Sequence, residues 1–418
     1  MSNIESGPAK TFDLADTPEV RACPGISNVT PNERFFQESL SRLVVPKSHG
    51  PGKAPTPAMK LIEDMEHTLK VLGEYQLGRE GMRDVVHSLR KTGSLRYFGL
   101  GSSYFPGEML ADEFRDRDLS VPVGVFNGRD GLRPIERKGH THLLVTNSGR
   151  TKELLEIASL WGEQQKLSWW KRPSGVRKSD FTVLTTNPDN PVPTKVKELG
   201  GQAMSLAQPF ESRVQATYSV VDTMLALAEI VATYGGNSAE FRRAVISTHL
   251  AANRVWDQRI GPEVIEPLAK SDTLIFAGPK IVHEMALKSN ELFAGFKTGI
   301  AMPGESLAHG PVESLRKGQT VVLVDPRPEF LADLEKNKLF KTEARVVAMS
   351  SRGQLADLGG NPIPTMKIER PSVDGGYQSK LLDGVVALVG AWNVLARTAY
   401  LLHSGSTSET RHAEKANV

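Results

Sequence analysis

From Ala58 onward the chain switches repeatedly between two hydrophobic periodicities. MKLIEDMEHTLKVL and MRDVVHSLRK place apolar residues three and four apart, the spacing of one helix face. SLRYFGL, VPVGVF, HLLVT, DFTVLTT and QAMSLA are short apolar runs of strand-like composition. Helical segments lie between several of them: YFPGEMLADEFRDR, ELLEIASLWGEQQ and PTKVKELG. VQATYSVVDTMLALAEIVATY then reads as a long apolar helix. Strands alternating with helices predict βαβ units and a parallel sheet buried on both faces.

The second half repeats the plan. DTLIFAG, GIAMP, TVVLVDP, ARVVAM and PTMKIE are the strand candidates. IVHEMALKSNELFAGF, PEFLADLEKNK and SKLLDGVVALVGAWNVLARTAYLL are the helices. The pattern predicts two versions of one α/β unit joined near Gly236, spanning residues 57–236 and 237–402. They are preceded by an extension and linker, residues 1–56, and followed by a tail, residues 403–418. In the extension, NERFFQESLSRLVV has the spacing of a short amphipathic helix, and KSHGPGKAPTP is linker-like. SWWKRPSGVRKSD is a long insertion in the first half. Its Trp169 and Trp170 either pack it down, the favoured reading, or meet a partner subunit.

Composition narrows the class. The 418 residues carry 51 Lys+Arg against 48 Asp+Glu, a net charge of +3. That balance argues against a nucleic-acid binder or a membrane-surface protein. A single cysteine, Cys23, excludes an internal disulfide framework and fits a reducing compartment. The first twenty residues lack the basic-then-apolar order of a secretory signal. Two apolar stretches, 214–234 and 384–402, carry Asp222 and Glu229, and Asn393 and Arg397. They are expected to be core helices instead of membrane spans. A soluble cytoplasmic protein is expected. No His/Cys/Asp cluster has metal-ligand spacing, and no metal or other cofactor is expected.

The candidate chemistry lies where strands end and helices begin. There a helix N-terminus offers unpaired N–H groups and partial positive charge, and an anion fits. Two loops of the first half have suitable side chains. GLGSSYF supplies Ser102 and Ser103, and TNSGRTKE supplies Thr146, Asn147, Ser148 and Thr151. Neither is a Walker loop, and GLGSSYF places Phe105 or Pro106 where a dinucleotide fingerprint has its third glycine. Helix N-capping explains either loop alone equally well. Two such loops in one βαβ half favour a phosphate cradle.

The second half carries charge instead. Glu284, Lys288 and Glu291 are spaced i, i+4, i+7 and share one helix face. A surface ion pair between Glu284 and Lys288 explains part of this spacing, but the apolar residues around them leave little of the helix free to face water. His309 precedes Gly310-Pro311 at a turn, and histidine is the side chain whose proton moves near neutral pH.

Four motifs in this order resemble the double SIS (sugar isomerase) domain family. That family includes the isomerase half of glucosamine-6-phosphate synthase, AgaS-type tagatose-6-phosphate isomerases and related deaminases and deglycases. Gly101-Ser102-Ser103-Tyr104 is similar to the family's G-T-S-Y turn, and Thr146-Asn147-Ser148-Gly149-Arg150-Thr151 to its S-Q-S-G-E-T phosphate loop. Glu284 to Glu291 resembles the E-G-A-L-K-L-K-E helix, and Ala308-His309-Gly310-Pro311 the K-H-G-P turn.

The resemblance covers roughly residues 77–402 and implies a fold: two tandem α/β SIS domains, each a parallel sheet flanked by helices, after an N-terminal extension. It also implies roles. Ser103, Ser148 and Thr151 would hold a sugar phosphate. Glu291 would move a proton between C1 and C2, and His309 would help open the ring, from a neighbouring subunit of a homodimer or larger homo-oligomer. Arg411-His412-Ala413-Glu414-Lys415 repeats the arginine-to-lysine step of the synthase tail, so Lys415 is either an imine-forming lysine or part of a charged tail. Ser2 stands where glutamine-dependent amination needs a cysteine, so that activity is not expected.

Aldose–ketose isomerisation needs a ring-opening acid/base, a base over C1/C2 and a group for the enediolate oxygen, a role open to Lys288. With an amine at C2 the same proton transfer gives an imine that water releases as ammonia. Three readings follow: a phosphosugar isomerase, deaminating if the substrate is a hexosamine 6-phosphate; a fructosamine-6-phosphate deglycase; or a non-catalytic phosphosugar sensor. Glu291 and His309 favour an enzyme, because a sensor could dispense with both.

Overall fold

A computed structural model describes residues 57–128, 130, 140–167, 180–206, 217–293, 297–304, 306–309, 311–355, 357–371 and 377–404. The extension with Cys23, the Trp169/Trp170 insertion, Gly310 and the tail with Lys415 lie outside them.

Two helices open the described chain, α1 (Pro57–Gly73) and α2 (Met82–Thr92). The first α/β unit follows: β1 (Leu95–Gly99), α3 (Phe105–Asp116), β2 (Val123–Asn127), β3 (Thr141–Val145), α4 (Lys152–Leu167), β4 (Phe181–Thr185), α5 (Pro191–Glu198) and β5 (Gln202–Ser205). Three helices connect the halves: α6 (Tyr218–Tyr234), α7 (Ser238–Asp257) and α8 (Pro262–Ala269). The second unit is β6 (Thr273–Gly278), α9 (Val282–Leu292), β7 (Thr298–Pro303), β8 (Gln319–Val324), α10 (Pro328–Lys336), β9 (Arg345–Ser350), β10 (Thr365–Lys367) and α11 (Lys380–Ser404).

Each unit builds a five-stranded sheet, and the two share one order: β2-β1-β3-β4-β5 and β7-β6-β8-β9-β10. Every strand pair is parallel. All five residues of β3 and all five of β4 are buried, as a sheet covered on both faces requires. The expectation of two repeated parallel α/β units is met.

Register identifies matching stations in the two sheets. The first residue of β3, Thr141, shares a hydroxyl contact of 2.8 Å with Ser88, and Thr320 in β8 shares one of 2.6 Å with Ser271. Both pairs sit fully buried at the base of the central strand. The next residues are His142 and Val321, so an imidazole occupies in one half the place of an isopropyl group in the other. His142 lies between Phe98 and Phe181, with ring centroids 6.1 and 6.3 Å away. Burial pushes its pKa down to about 4.

The long apolar helices are core helices, as their internal charges imply. In α6, Asp222 is fully buried and pairs with Arg79, while Glu229 accepts from the Tyr75 hydroxyl and the Gly78 N–H, both at 2.6 Å. In α11, Asn393 donates to the carbonyls of Val255 and Trp256 at 2.9 Å, and Arg397 donates to Asn393. Charges buried with partners in place hold the helix in one position, and removing one partner costs about 3–5 kcal/mol. Residues 380–402 have the length and hydropathy of a membrane span, but 78% of the 18-residue apolar stretch within them is buried inside the fold. α11 packs on α1, α3, α6, α7, α8 and α9, tying the second unit to the helices of the first.

Candidate active site

In a sheet of this order the chain leaves the first strand toward opposite sides, opening a crevice at the strands' C-terminal ends. In the first unit that crevice lies between β1 and β3. The loops that border it are the two hydroxyl loops.

After β1 the chain makes a 3₁₀ turn, Gly101–Ser103, before α3 begins. Ser103 is buried, and its carbonyl accepts from the Tyr97 hydroxyl. Ser102 is half-buried, and its hydroxyl donates to Glu284 Oε1 at 3.1 Å. That contact crosses from the first unit to α9 of the second.

After β3 comes the TNSGRT loop. Gly149 has φ 65°, a left-handed turn, and a Cβ there would lie 2.8 Å from the Cβ of Asn190, so the tight turn needs glycine. Thr146 Oγ1 accepts from the Gly149 N–H at 3.1 Å and lies 2.8 Å from Thr151 Oγ1. Ser148 Oγ accepts from the Arg150 N–H at 3.2 Å. These are local capping bonds, so the N-capping reading holds as far as it goes. It does not exhaust the loop. Each hydroxyl owns one proton as well as lone pairs. Ser148 has spent only a lone pair, and the Thr146/Thr151 pair uses one proton of its two. Among the described residues, two O–H donors therefore remain without an acceptor at the start of α4, where the helix dipole favours an anion.

Residues outside the predicted set brace this loop. Thr186 donates to the Asn147 carbonyl and Asn190 to the Ser148 carbonyl, each at 2.6 Å. Asn147 donates to Ser219 in α6 at 2.9 Å. Its own Oδ1 is buried with no donor among the described residues. The run TTNPDN after DFTVL carried a signal for Thr186 and Asn190, since it repeats the hydroxyl-and-amide composition of the TNSG loop. Ser219 carried none, because its place depends on how α6 packs.

On α9, Glu284 and Lys288 are fully buried and the Glu291 side chain is 20% exposed. Lys288 pairs with Glu291, Nζ to Oε2 at 3.0 Å, an i, i+3 contact. Glu284 Oε1 accepts from Ser102. Among the described residues no hydrogen bond or ion pair joins Ser148 or Thr151 to Glu291. His309 is exposed on the turn after Ser306–Ala308, and its imidazole makes no hydrogen bond or ion pair with a described residue. The chain thus brings together Ser102, Glu284 and the helix that bears Lys288 and Glu291, and no hydrogen bond or ion pair among the described residues joins His309 to them.

No family model matches the sequence, and no curated protein matches it by sequence. Solved structures do match. Tagatose-6-phosphate ketose/aldose isomerase from Escherichia coli is similar at a TM-score of 0.61 and 17% identity, over 86% of this chain and 96% of that one. The C-terminal domain of glucosamine-fructose-6-phosphate aminotransferase from Francisella tularensis gives a TM-score of 0.60 at 16% identity, over 85% and 98%. Glucosamine-6-phosphate deaminase from Thermotoga maritima gives 0.57 at 18% identity, over 83% and 95%. Two parallel five-stranded sheets of one order, matched over nearly the whole length of these proteins, establish that this chain has the double SIS-domain fold.

Proposed function

We propose that the chain is a soluble, cytoplasmic aldose–ketose isomerase of phosphorylated sugars, working without a metal or other cofactor. The observation that carries this reading is the Ser102–Glu284 hydrogen bond, which puts the acidic helix of one unit against the hydroxyl-lined edge of the other.

The two free O–H donors of the Thr146–Thr151 loop and the start of α4 take the phosphate, with Ser103 beside them. Asn147 Oδ1 accepts from a sugar hydroxyl. Anchoring the phosphate fixes the carbon chain and converts binding energy into alignment of C1 and C2. Glu291 takes the proton from one carbon and returns it to the other, and Lys288 stabilises the enediolate oxygen. Glu284 and Ser102 orient the open-chain hydroxyls. His309, supplied by the neighbouring protomer of a homodimer, opens the ring, and Lys415 of the tail closes over the carbonyl end. Where C2 bears an amine, the same proton transfer yields an imine whose hydrolysis releases ammonia.

The test is isotope exchange. The full chain is incubated in deuterated water with fructose 6-phosphate, tagatose 6-phosphate and glucosamine 6-phosphate, and label at C1 and C2 is followed by NMR. At least one substrate should label, and Glu291→Gln should slow labelling by about 10²–10⁴-fold. Ammonia release from glucosamine 6-phosphate would mark a deaminating isomerase, and amino-acid release from a fructosamine 6-phosphate a deglycase. Tight binding of these esters with no label from wild type would sink the catalytic reading and leave a sensor.

A further inference from the structure

The second sheet has the same crevice as the first, at its own C-terminal edge between β6 and β8. A cleft of about 1290 Å³ opens there. It is lined by the strand ends Gly278, Pro303 and Val324 and closed on the far side by α3 and α11.

The two edges are related by exchange of halves. α3 carries Glu108, Asp112 and Arg115 at the same i, i+4, i+7 spacing as Glu284, Lys288 and Glu291 on α9, each set starting in the helix's first turn. In each set the second and third members are ion-paired, with the signs reversed: Asp112 with Arg115, Lys288 with Glu291. The loop after β1 reaches α9 through Ser102 and Glu284. Reciprocally, the loop after β6 reaches α3 through Lys280 and Asp112, at 3.1 Å. Between them Phe105 and His283, at the starts of the two helices, stack at 4.8 Å and 3°.

The second edge is also braced like the first. Asp325, after β8, accepts from the N–H and the hydroxyl of Ser351, after β9, at 3.0 and 2.7 Å, and pairs with Arg370, after β10. This is the counterpart of Thr186 and Asn190 gripping the TNSG loop. Its chemistry differs. Most charges lining the cleft are matched to one another: Lys280 with Asp112, Arg117 with Glu113, Lys380 with Asp116. Arg327 and Arg352 are not. Both are exposed, follow adjacent strands, and make no ion pair with a described carboxylate. Arg327 is also the N-cap of α10, whose nine residues begin at Pro328.

We infer that this cleft is a second binding site, taking an organic phosphate whose ester group lies between Arg327 and Arg352. A planar guanidinium presents paired donors that match phosphate oxygens, and two of them without a carboxylate partner leave an anion-shaped demand at the edge. The cleft behind is roomy and mixed in character. Met109, Ile281 and Ala387 offer an apolar surface, and Asp383 from α11 offers an acceptor for hydroxyls of the ligand's body. Each half of the chain thus has an anion-binding edge roofed by a helix of the other half, one built of hydroxyls and one of arginines.

The experiment is calorimetric binding to the full chain with the first edge weakened by Ser148→Ala and Thr151→Ala. Fructose 6-phosphate and inorganic phosphate should still bind to that double variant, and unphosphorylated fructose should not. Adding Arg327→Ala and Arg352→Ala should weaken phosphate-ester binding at least tenfold, while Arg327→Lys and Arg352→Lys should recover most of it. Both arginines are exposed, so an unchanged thermal melt is expected and checks the fold. If the first double variant binds neither ester nor inorganic phosphate, or if removing the two arginines leaves affinity unchanged, the second site does not exist. No turnover is read, so this outcome is independent of whether the chain is an isomerase.

Discussion

The first sheet ends in hydroxyls and amides, the second in charges, although both sheets have the same strand order and the same bracing between neighbouring loops. On the proposed function, the neutral donors at the first edge would take the phosphate. At the second edge six cations and seven carboxylates line one cleft, and most neutralise each other. On the two proposals, the second edge would recognise an anion and the first would support proton transfer. One fold unit, repeated, carries different loop chemistry at its two edges.

The largest test of that contrast is on the helices that roof the two edges. Glu291→Gln should lower C1/C2 exchange by about 10²–10⁴-fold. Arg115→Gln, at the matching place on α3, should leave exchange within about twofold when both are measured by NMR in deuterated water.

Next in size is the contrast between buried and exposed ties. Arg79→Leu removes the cation paired with Asp222, whose side chain is wholly buried, and should cost about 3–5 kcal/mol in urea unfolding. Lys380→Ala breaks a pair whose side chains are 47% and 44% exposed, and should cost no more than about 1 kcal/mol.

The third uses pH. His142 has a folded pKa of about 4, and the free side chain titrates near about 6.5. The unfolded chain therefore takes up the proton first. Stability is intact above the unfolded value and falls as pH drops from there toward the folded one, by up to about 3 kcal/mol. His142→Phe should flatten this acid limb in urea titrations at pH 4.5 to 7, to the shape expected for a half with Val321 at that station. An unchanged slope would remove His142 as its cause.

The smallest concerns the two reciprocal contacts. Ser102→Ala takes a donor from buried Glu284 and should cost about 1–2 kcal/mol by thermal unfolding. Lys280→Ala breaks a pair with Asp112 in which the lysine is 36% exposed, and should cost less than about 1 kcal/mol.

Much of the fold was legible. Every strand of both sheets falls on a predicted apolar run, because parallel strands buried on two faces have few ways to be polar. α7 and α8 escaped the pattern for local reasons. Outward-facing Ile246 and Leu250, 57% and 52% exposed, blur the amphipathic face of α7, and α8 is short, with Pro267 inside it. At the site, the hydroxyl loops and the acidic face of α9 could be read from spacing. The ion-pair partner could not: Lys288 stands four residues from Glu284 and three from Glu291, and both distances suit a helix. The Ser102–Glu284 contact comes from packing alone, because the two residues belong to different units.

The sequence by itself determined which segments are strands, which are helices and which loops carry hydroxyls, because those features depend on neighbours two to four residues apart. Only the tertiary structure decided which helix roofs which sheet edge. Ser102 and Glu284 are 182 positions apart, and Lys280 and Asp112 are 168 apart. Those contacts, and the cleft between Arg327, Arg352 and α3, arise from docking two finished units against each other, and no local periodicity encodes that geometry.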